Sequence, residues 1–230
     1  MEEKILILDF GSQYTQLIAR RIRELSIYCE ISPFNKIPKI TSEYVGVILS
    51  GSPFSVHDND SPDINFDSFN NLPVLGICYG AQLIANKNEC IVAKSEIREY
   101  GRAKLSYVNS ESILMKGVEL DSDVWMSHGD SITEITDSFQ ILASTKDVNI
   151  TSYYLKNKNY FGLQFHPEVT HTVFGRKILD NFAVKICGCS QSWNSERFVE
   201  YTINKIRETV KDDKVVLGLS VGVDSSVAAM

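Results

Sequence analysis

The sequence predicts an α/β protein organised around an open, mostly parallel (mixed) sheet with helices on both faces. Two observations carry this prediction. Short apolar runs at residues 4–9, 45–49 and 74–77 are typical of buried strands, and segments with helically spaced apolar residues alternate with them. Such alternation favours a parallel sheet whose two faces are covered by helices. Ligands of these sheets bind beyond the carboxyl ends of the strands, so we expect the functional residues there.

The first half of the chain supplies most of this pattern. After the first strand, Gly11 and Ser12 break the apolar run, and a helix is predicted from apolar residues at helical spacing. These are Tyr14, Leu17, Ile18, Ile22 and Leu25. A second strand is predicted at residues 28–31. Residues 58–71 are polar and contain proline, which indicates a surface loop with one helical turn at most.

The middle of the chain changes character. Residues 98–108, 140–144 and 151–155 are predicted to form short strands in hairpins, and residues 160–165 an aromatic-rich strand that leads into His166. A helix is then predicted from apolar residues that recur every fourth position. These are Phe174, Ile178, Phe182 and Ile186.

Residues 190–230 predict the truncated start of a second α/β domain. We expect one domain over residues 1–189 and a linker from residue 190. A helix then follows, with Asn194 or Ser195 as its N-cap. An apolar strand is predicted at residues 214–219, followed by a Ser/Gly/Asp turn and a truncated helix.

Composition excludes several classes of function. The 230 residues carry a net charge of −6 without a long basic run, so nucleic acid is not an expected partner. Arg20, Arg21 and Arg23 are interpreted as the solvated face of a helix. No apolar run approaches the ~20 residues that span a membrane, and the amino terminus leads straight into a strand, so neither a membrane segment nor a signal peptide is expected.

The cysteines indicate a reducing cytoplasm. Five scattered cysteines, an odd number without C-x-x-C spacing, do not form a disulfide framework. The Cys187-Gly188-Cys189 triplet is too closely spaced for a usual zinc half-site and has no second pair. We therefore expect no metal site.

Cys78 is the candidate nucleophile. It stands between Gly76 and Gly80 where an apolar strand gives way to a helical pattern, an arrangement typical of a nucleophile elbow with cysteine in place of serine. The small residues on either side permit a sharp turn that projects the side chain from the end of the strand. The turn also sets the sulfur at a helix amino terminus, where the dipole favours a thiolate. Isolated cysteines are more often small buried apolar residues, so partners are required.

His166 is the candidate base. It ends the aromatic-rich strand, and Glu168 follows two residues later, so both side chains of an extended segment are expected on one side. A carboxylate at one ring nitrogen would fix the tautomer and support the imidazolium. The developing oxyanion requires donors, for which we expect the backbone N–H of Tyr79 and the turn at Gly51 and Ser52.

Together, Gly76–Gly80 (GxCxG) and His166–Glu168 (HPE) resemble the class I, triad-type glutamine amidotransferases. The resemblance implies a flavodoxin-like fold and hydrolysis of L-glutamine to glutamate and ammonia. Cys78 would attack the side-chain amide, His166 would protonate the ammonia and activate water, and Glu168 would orient His166. By similarity, Gln82, His128 and Asp130 would hold the amino-acid head group, and this domain would need no cofactor.

Further stretches resemble one branch of that family, in which an ATP-pyrophosphatase domain follows the glutaminase domain. They are LILDFGSQY at residues 6–14, WMSHGD at 125–130, VTHT at 169–172 and SVGVDSS at 220–226. In that branch the ammonia is used, with ATP and Mg²⁺, to aminate xanthosine monophosphate, and the complete enzyme is a possible homodimer. The resemblance implies ATP-binding residues in the last stretch: Ser220, Gly222, Val223, Asp224, Ser225 and Ser226.

Two positions depart from the pattern. Ser52 replaces the second glycine of the usual Gly-Gly-Pro turn, but a backbone N–H can come from serine. Val221 replaces a glycine of the phosphate loop, where a β-branched residue resists positive φ, so ATP binding there is expected to be weaker. Two alternatives stay open: a γ-glutamyl peptide hydrolase, and a protein that binds glutamine without turning it over.

Overall fold

The structure, a computed structural model, describes residues 3–69, 71–220 and 222–229. The chain forms two compact units, Met1–Ser192 and Trp193–Met230. Among the described residues of the first unit, nine strands form one sheet. They are β1 (Lys4–Asp9), β2 (Tyr28–Pro33), β3 (Tyr44–Leu49), β4 (Val74–Ile77), β5 (Ile91–Val108), β6 (Asp123–Glu134), β7 (Phe139–Thr145), β8 (Ser152–Leu155) and β9 (Tyr160–Leu163).

The sheet has the order β2-β1-β3-β4-β9-β8-β7-β5-β6. The strands from β2 to β9 in this order pair in parallel, and those beyond β9 pair antiparallel. The predicted mixed α/β sheet is therefore confirmed. Its parallel part consists of β2, β1, β3, β4 and β9, and the carboxyl ends of these strands meet at one edge.

Helices cover both faces of the sheet. On one face, α1 (Thr15–Glu24) and α3 (Gly175–Asp180) bury Ile18, Ile22 and Ile178 in an apolar cluster. On the other face, α2 (Tyr79–Asn86) buries Ala81, Ile84 and its other apolar residues in a second cluster. The first turn of α2 thus lies against the sheet, at the carboxyl end of β4.

Several predicted boundaries differ from the structure. The strand predicted at 98–108 begins earlier, at Ile91, and pairs with β6, a twelve-residue strand that was not predicted. The helix predicted through residues 174–186 is α-helical only to Asp180 and continues as a π-helical segment, Asn181–Ile186. The loop at 58–71 contains one 3₁₀ turn, Phe66–Phe69, as expected.

The second unit contains α4 (Ser195–Val210) and α5 (Val223–Ala229). The prediction of a strand at residues 214–219 is wrong, because these residues form no regular structure. A strand needs a neighbour for its backbone groups, and the run is exposed instead, with Val216 at 93% relative exposure. Among the described residues, the helices are too short or too polar to span a bilayer.

Candidate active site

A cavity of about 530 Å³ opens at the edge where the parallel strands end. The turns after β1, β3 and β4 contribute Tyr14, Gly51 and Cys78 to its wall, β6 contributes His128, and the segment after β9 contributes His166. It also contains Ser52, Gln82 and Asp130. Most of the residues predicted for glutamine chemistry therefore line one cavity.

Cys78 occupies a strained turn between β4 and α2. Its φ of 52° and ψ of −108° lie where L-residues rarely occur. Its N–H donates to the Leu163 carbonyl at 2.7 Å, and its thiol donates to the Ser127 carbonyl at 3.6 Å. Strain of this kind persists only where surrounding bonds hold it, and it is typical of functional sites.

Glycines on both sides make the turn possible. A Cβ atom built on Gly76 would lie 2.5 Å from the backbone of Gly80 and Ala81, and one built on Gly80 would lie 2.6 Å from Cβ of Leu49. No side chain fits at either position. Close packing therefore requires glycine at the two positions flanking Cys78, in agreement with the predicted sharp turn.

His166 and Glu168 form a buried pair. Nδ1 of His166 lies 2.7 Å from Oε1 of Glu168, whose side chain is wholly buried. The main chain of His166 is also held, because its N–H donates to the Trp125 carbonyl at 2.9 Å and its carbonyl accepts the Thr172 hydroxyl at 2.6 Å. With Nδ1 occupied by the carboxylate, Nε2 is the ring nitrogen available for chemistry.

Cys78 and His166 meet beside Gly51. A Cβ atom built on Gly51 would lie 3.6 Å from Cε1 of His166 and 3.7 Å from Cβ of Cys78. Burial opposes the charged imidazole, but hydrogen bonds with Cys78 and Glu168 outweigh it and raise the pKa of His166 to about 10. The protonated form of His166 is therefore favoured beside the sulfur of Cys78.

The predicted oxyanion turn follows β3. The Ser50 hydroxyl accepts the N–H of Phe10 at 3.0 Å and donates to the Gly51 carbonyl at 2.9 Å. The Ser50 carbonyl accepts the N–H of Gly80 at 3.2 Å. Gly51 and Ser52 line the cavity, whereas the Tyr79 side chain turns away and donates to the Pro62 carbonyl at 2.5 Å. Tyr79 can take part only through its main chain.

The residues predicted to hold a head group line the same cavity. Gln82 donates its side-chain amide to the Asp130 carbonyl at 2.7 Å, which ties α2 to β6. Burial lowers the pKa of His128 to about 4, so this histidine is neutral at physiological pH. His128 and His166 thus occupy one cavity in different charge states, a difference that separates catalytic roles in many enzymes.

The predicted ATP-binding residues lie in the second unit. The Ser225 hydroxyl donates to the carbonyls of Ser220 and Gly222, and the Ser226 hydroxyl donates to the Gly222 carbonyl at 3.0 Å. Gly222, Val223 and Asp224 are exposed, and Val221 lies outside the described residues. These hydroxyls already bond to the loop's own backbone, so the described loop does not by itself enclose a nucleotide.

Sequence reasoning missed three neighbours of the site. Ser127 reaches Cys78 through its carbonyl, Tyr14 packs on His166 at a centroid separation of 5.1 Å, and Arg21 donates to the Glu168 carbonyl at 2.8 Å. The interpretation of Arg21 as part of a solvated helix face was wrong, because its side chain is 22% exposed and holds that carbonyl. The helical spacing of Tyr14 and Arg21, two turns apart, was the available signal.

The sequence profile of class-I glutamine amidotransferases matches residues 6–186. The chain therefore belongs to the class-I glutamine amidotransferase family. This match confirms the resemblance inferred from the GxCxG and HPE motifs.

Two curated relatives are similar to this chain over its whole length. The glutamine-hydrolysing GMP synthase of Cytophaga hutchinsonii is 58% identical across the whole chain, which covers 45% of that protein. The glutamine-hydrolysing GMP synthase 1 of Bacteroides thetaiotaomicron is 53% identical across the whole chain, which covers 46% of that protein. The chain thus spans about half the length of the curated relatives it matches.

A solved structure has the same fold and a related sequence. It is a Thermoplasma acidophilum protein, proposed to be one of the subunits of a GMP synthase, and it superposes with a TM-score of 0.71 at 30% identity. The alignment covers 87% of this chain and 98% of that one.

Proposed function

We propose that the chain hydrolyses L-glutamine to glutamate and ammonia. The Cys78 thiolate adds to the side-chain amide carbon, and His166 gives its proton to the departing ammonia. The glutamyl thioester is then hydrolysed by a water that His166 deprotonates. Glu168 holds the ring of His166. The observation that carries this proposal is that Cys78 and His166 line one cavity and both approach Gly51, backed by the buried 2.7 Å pair of His166 with Glu168.

The remaining groups have supporting roles in this proposal. Backbone N–H groups at Gly51, Ser52 and Tyr79 would stabilise the oxyanion, a contribution typically worth about 3 kcal/mol for one donor. Gln82, His128 and Asp130 would hold the amino-acid head group. The neutral state of His128 supports hydrogen bonding rather than ion pairing with the substrate.

We propose further that this ammonia serves GMP synthesis. The relatives named as GMP synthases support this assignment. A synthetase domain would use ATP and Mg²⁺ to activate xanthosine monophosphate, and ammonia would complete its amination to GMP. The predicted ATP-binding residues would contribute only together with protein surface supplied by that domain. They are Ser220, Gly222, Val223, Asp224, Ser225 and Ser226. The complete enzyme would form a homodimer.

Ammonia release from glutamine tests the first proposal. Cys78→Ala is expected to lower kcat by at least ~10³-fold, because no other group can form the thioester. Cys90→Ala is the matched control, since Cys90 is buried outside the cavity and should leave turnover unchanged. Faster cleavage of γ-glutamyl peptides than of glutamine would instead identify a peptide hydrolase, and glutamine binding without turnover would identify a binding protein.

The second proposal needs a separate assay. The carboxyl-terminal half of the Cytophaga hutchinsonii relative is supplied in trans with ATP, Mg²⁺ and xanthosine monophosphate. Glutamine-dependent GMP formation that disappears in Cys78→Ala supports the assignment. Glutamine hydrolysis without GMP formation from glutamine, while added ammonia still yields GMP, would contradict it.

A further inference from the structure

We propose that Tyr14 and Arg21 are positioning residues through which helix α1 holds the His166–Glu168 pair in place. This inference rests on the proposed glutamine hydrolysis. It concerns the contacts behind the base rather than the groups that touch the substrate amide. It also gives a role to the stretch around residues 6–14, which the proposed mechanism leaves unused.

Tyr14 packs directly on the imidazole. The two ring centroids are 5.1 Å apart, and the ring planes meet at 67°, an edge-to-face arrangement. Both rings line the cavity. The carboxylate holds the imidazole at Nδ1, and the Tyr14 ring limits movement of the same imidazole by packing against it.

The position of Tyr14 is unfavourable for the helix itself. Tyr14 is the N-cap residue of α1 and makes no side-chain cap hydrogen bond. Serine, threonine, aspartate and asparagine are strongly preferred at this position because their side chains satisfy the free N–H groups of the first turn. A residue that breaks a local rule without a local gain is expected at a functional site.

The loop that carries Tyr14 is held firmly. Oδ1 of Asp9 accepts the N–H of Gly11 at 2.9 Å and the hydroxyl of Thr15 at 2.8 Å. The Ser12 hydroxyl accepts the N–H of Tyr14 at 3.1 Å. These bonds fix the loop on both sides of Tyr14, so its ring is presented to His166 by a rigid turn.

Arg21 provides the second contact from the same helix. It lies seven residues after Tyr14, close to two helical turns, so the two side chains share one face. Its Nε donates to the Glu168 carbonyl at 2.8 Å, and Nη1 lies 2.8 Å from Glu24. One helix face therefore contacts the imidazole of the base and the main chain of the residue that orients it.

The charged and titratable groups around His166 come from several elements. Cys78 faces it from the turn after β4, Glu168 from its own segment, and His128 from β6. Tyr14 faces it from the start of α1. Cys78 and Glu168 raise the pKa of His166 only while the ring stays within reach of both, so loss of the Tyr14 ring should lower that pKa.

Replacing Tyr14 tests the inference. Tyr14→Leu removes the ring, whereas Tyr14→Phe keeps it and serves as the conservative rescue. In Tyr14→Leu we expect kcat to fall ~10- to 100-fold with KM within about twofold, and His166 to lose its proton at lower pH by NMR. Tyr14→Phe should match the wild type in both measurements. Should Tyr14→Leu fail to fold, Tyr14→Met replaces it.

Arg21 offers an internally controlled test. Arg21→Gln should lower kcat, while Arg20→Gln on the same helix should not, because Arg20 is 74% exposed and pairs only with Glu24 among the described residues. Unchanged kcat and unchanged His166 titration in the leucine and methionine variants would overturn the inference, as would a rise confined to KM. The NMR titration needs no turnover, so it tests positioning even if glutamine is not the substrate.

Discussion

His166 and His128 line the same cavity, but their pKa values are shifted in opposite directions. Burial disfavours the charged form of both. At His128 it prevails and lowers the pKa to about 4, whereas at His166 Cys78 and Glu168 outweigh it and raise the pKa to about 10. His166 meets Cys78 beside Gly51, and His128 follows Ser127, whose carbonyl accepts the Cys78 thiol. These environments, rather than the residue types, separate the proposed acid from the proposed binding group.

Glu168→Gln tests this origin of the His166 charge. Removing the carboxylate leaves Cys78 alone to oppose burial, so we expect the pKa of His166, measured by NMR, to fall below its wild-type value. The folded-state pKa is raised above the unfolded value of about 6.5, so the pair stabilises the fold fully below about pH 6.5. That stabilisation is lost as pH rises through about 10.

The difference in melting temperature between wild type and Glu168→Gln should therefore be larger at pH 6 than at pH 10. His171, whose ring packs at a tilt on Trp125 and is not among the residues that line the cavity, provides a reference signal in the same spectra. An unchanged His166 pKa in Glu168→Gln would refute the assigned cause.

At the scale of elements, the site depends on the junction of β4 and α2. The strand is buried throughout, and the turn packs so closely that Gly76 and Gly80 have no room for a side chain. The N–H of Gly80 also donates to the Ser50 carbonyl, which joins this turn to the turn after β3. The strand–turn–helix unit thus fixes the positions of both the thiol and the expected oxyanion donors.

Gly80→Ala should show how tightly this junction is packed. Its Cβ would lie 2.6 Å from Cβ of Leu49 and 2.7 Å from the Leu49 carbonyl oxygen, so the turn must shift. We expect the free energy of unfolding, measured with urea, to fall by about 1–3 kcal/mol, together with loss of glutamine turnover. Gly218→Ala is the control, since no described atom lies within 4 Å of its Cβ. Equal stability of the two variants would contradict this packing.

Local pattern was sufficient for the elbow and insufficient elsewhere. The elbow is one continuous stretch, and the close contacts of Gly76 are with Gly80 and Ala81 of that same stretch. The sequence pattern was therefore enough to predict it. Strand β6 escaped prediction because its buried positions include His128 beside Val124 and Met126. A buried polar residue interrupts the alternation that marks a half-buried strand.

Contacts between distant segments were also beyond the sequence. The bond from Arg21 to the Glu168 carbonyl joins residues 147 positions apart. Helical spacing places Arg21 on the same face as Tyr14, but it does not indicate which segment that face contacts. The predicted strand at 214–219 failed for a related reason. Its apolar residues match a buried strand, but pairing depends on a neighbour that local sequence does not report.

At the scale of the molecule, the buried apolar core formed by the described residues lies in the first unit. Every residue of the two buried apolar clusters lies between Ile5 and Cys189. In the second unit, apolar residues such as Val199, Ile203 and Val216 are exposed. The first unit therefore carries the apolar burial that stabilises the cavity.

Truncation after Ser192 tests this division. We expect the shortened chain to keep its melting temperature within roughly 2 °C, because no member of either cluster is removed. Glutamine hydrolysis should stay within about twofold of the full chain. A truncated chain that fails to fold would show that the second unit contributes to the core.

Labelling of the thiol tests the central claim, that Cys78 and His166 act as one unit. The full chain is treated with a glutamine-analogue electrophile, and the modified residue is located by mass spectrometry. We expect the label on Cys78 alone, slowed by excess glutamine and slowed at least ~10-fold in His166→Asn. Labelling of Cys78 that is neither protected by glutamine nor affected by loss of His166 would contradict the account.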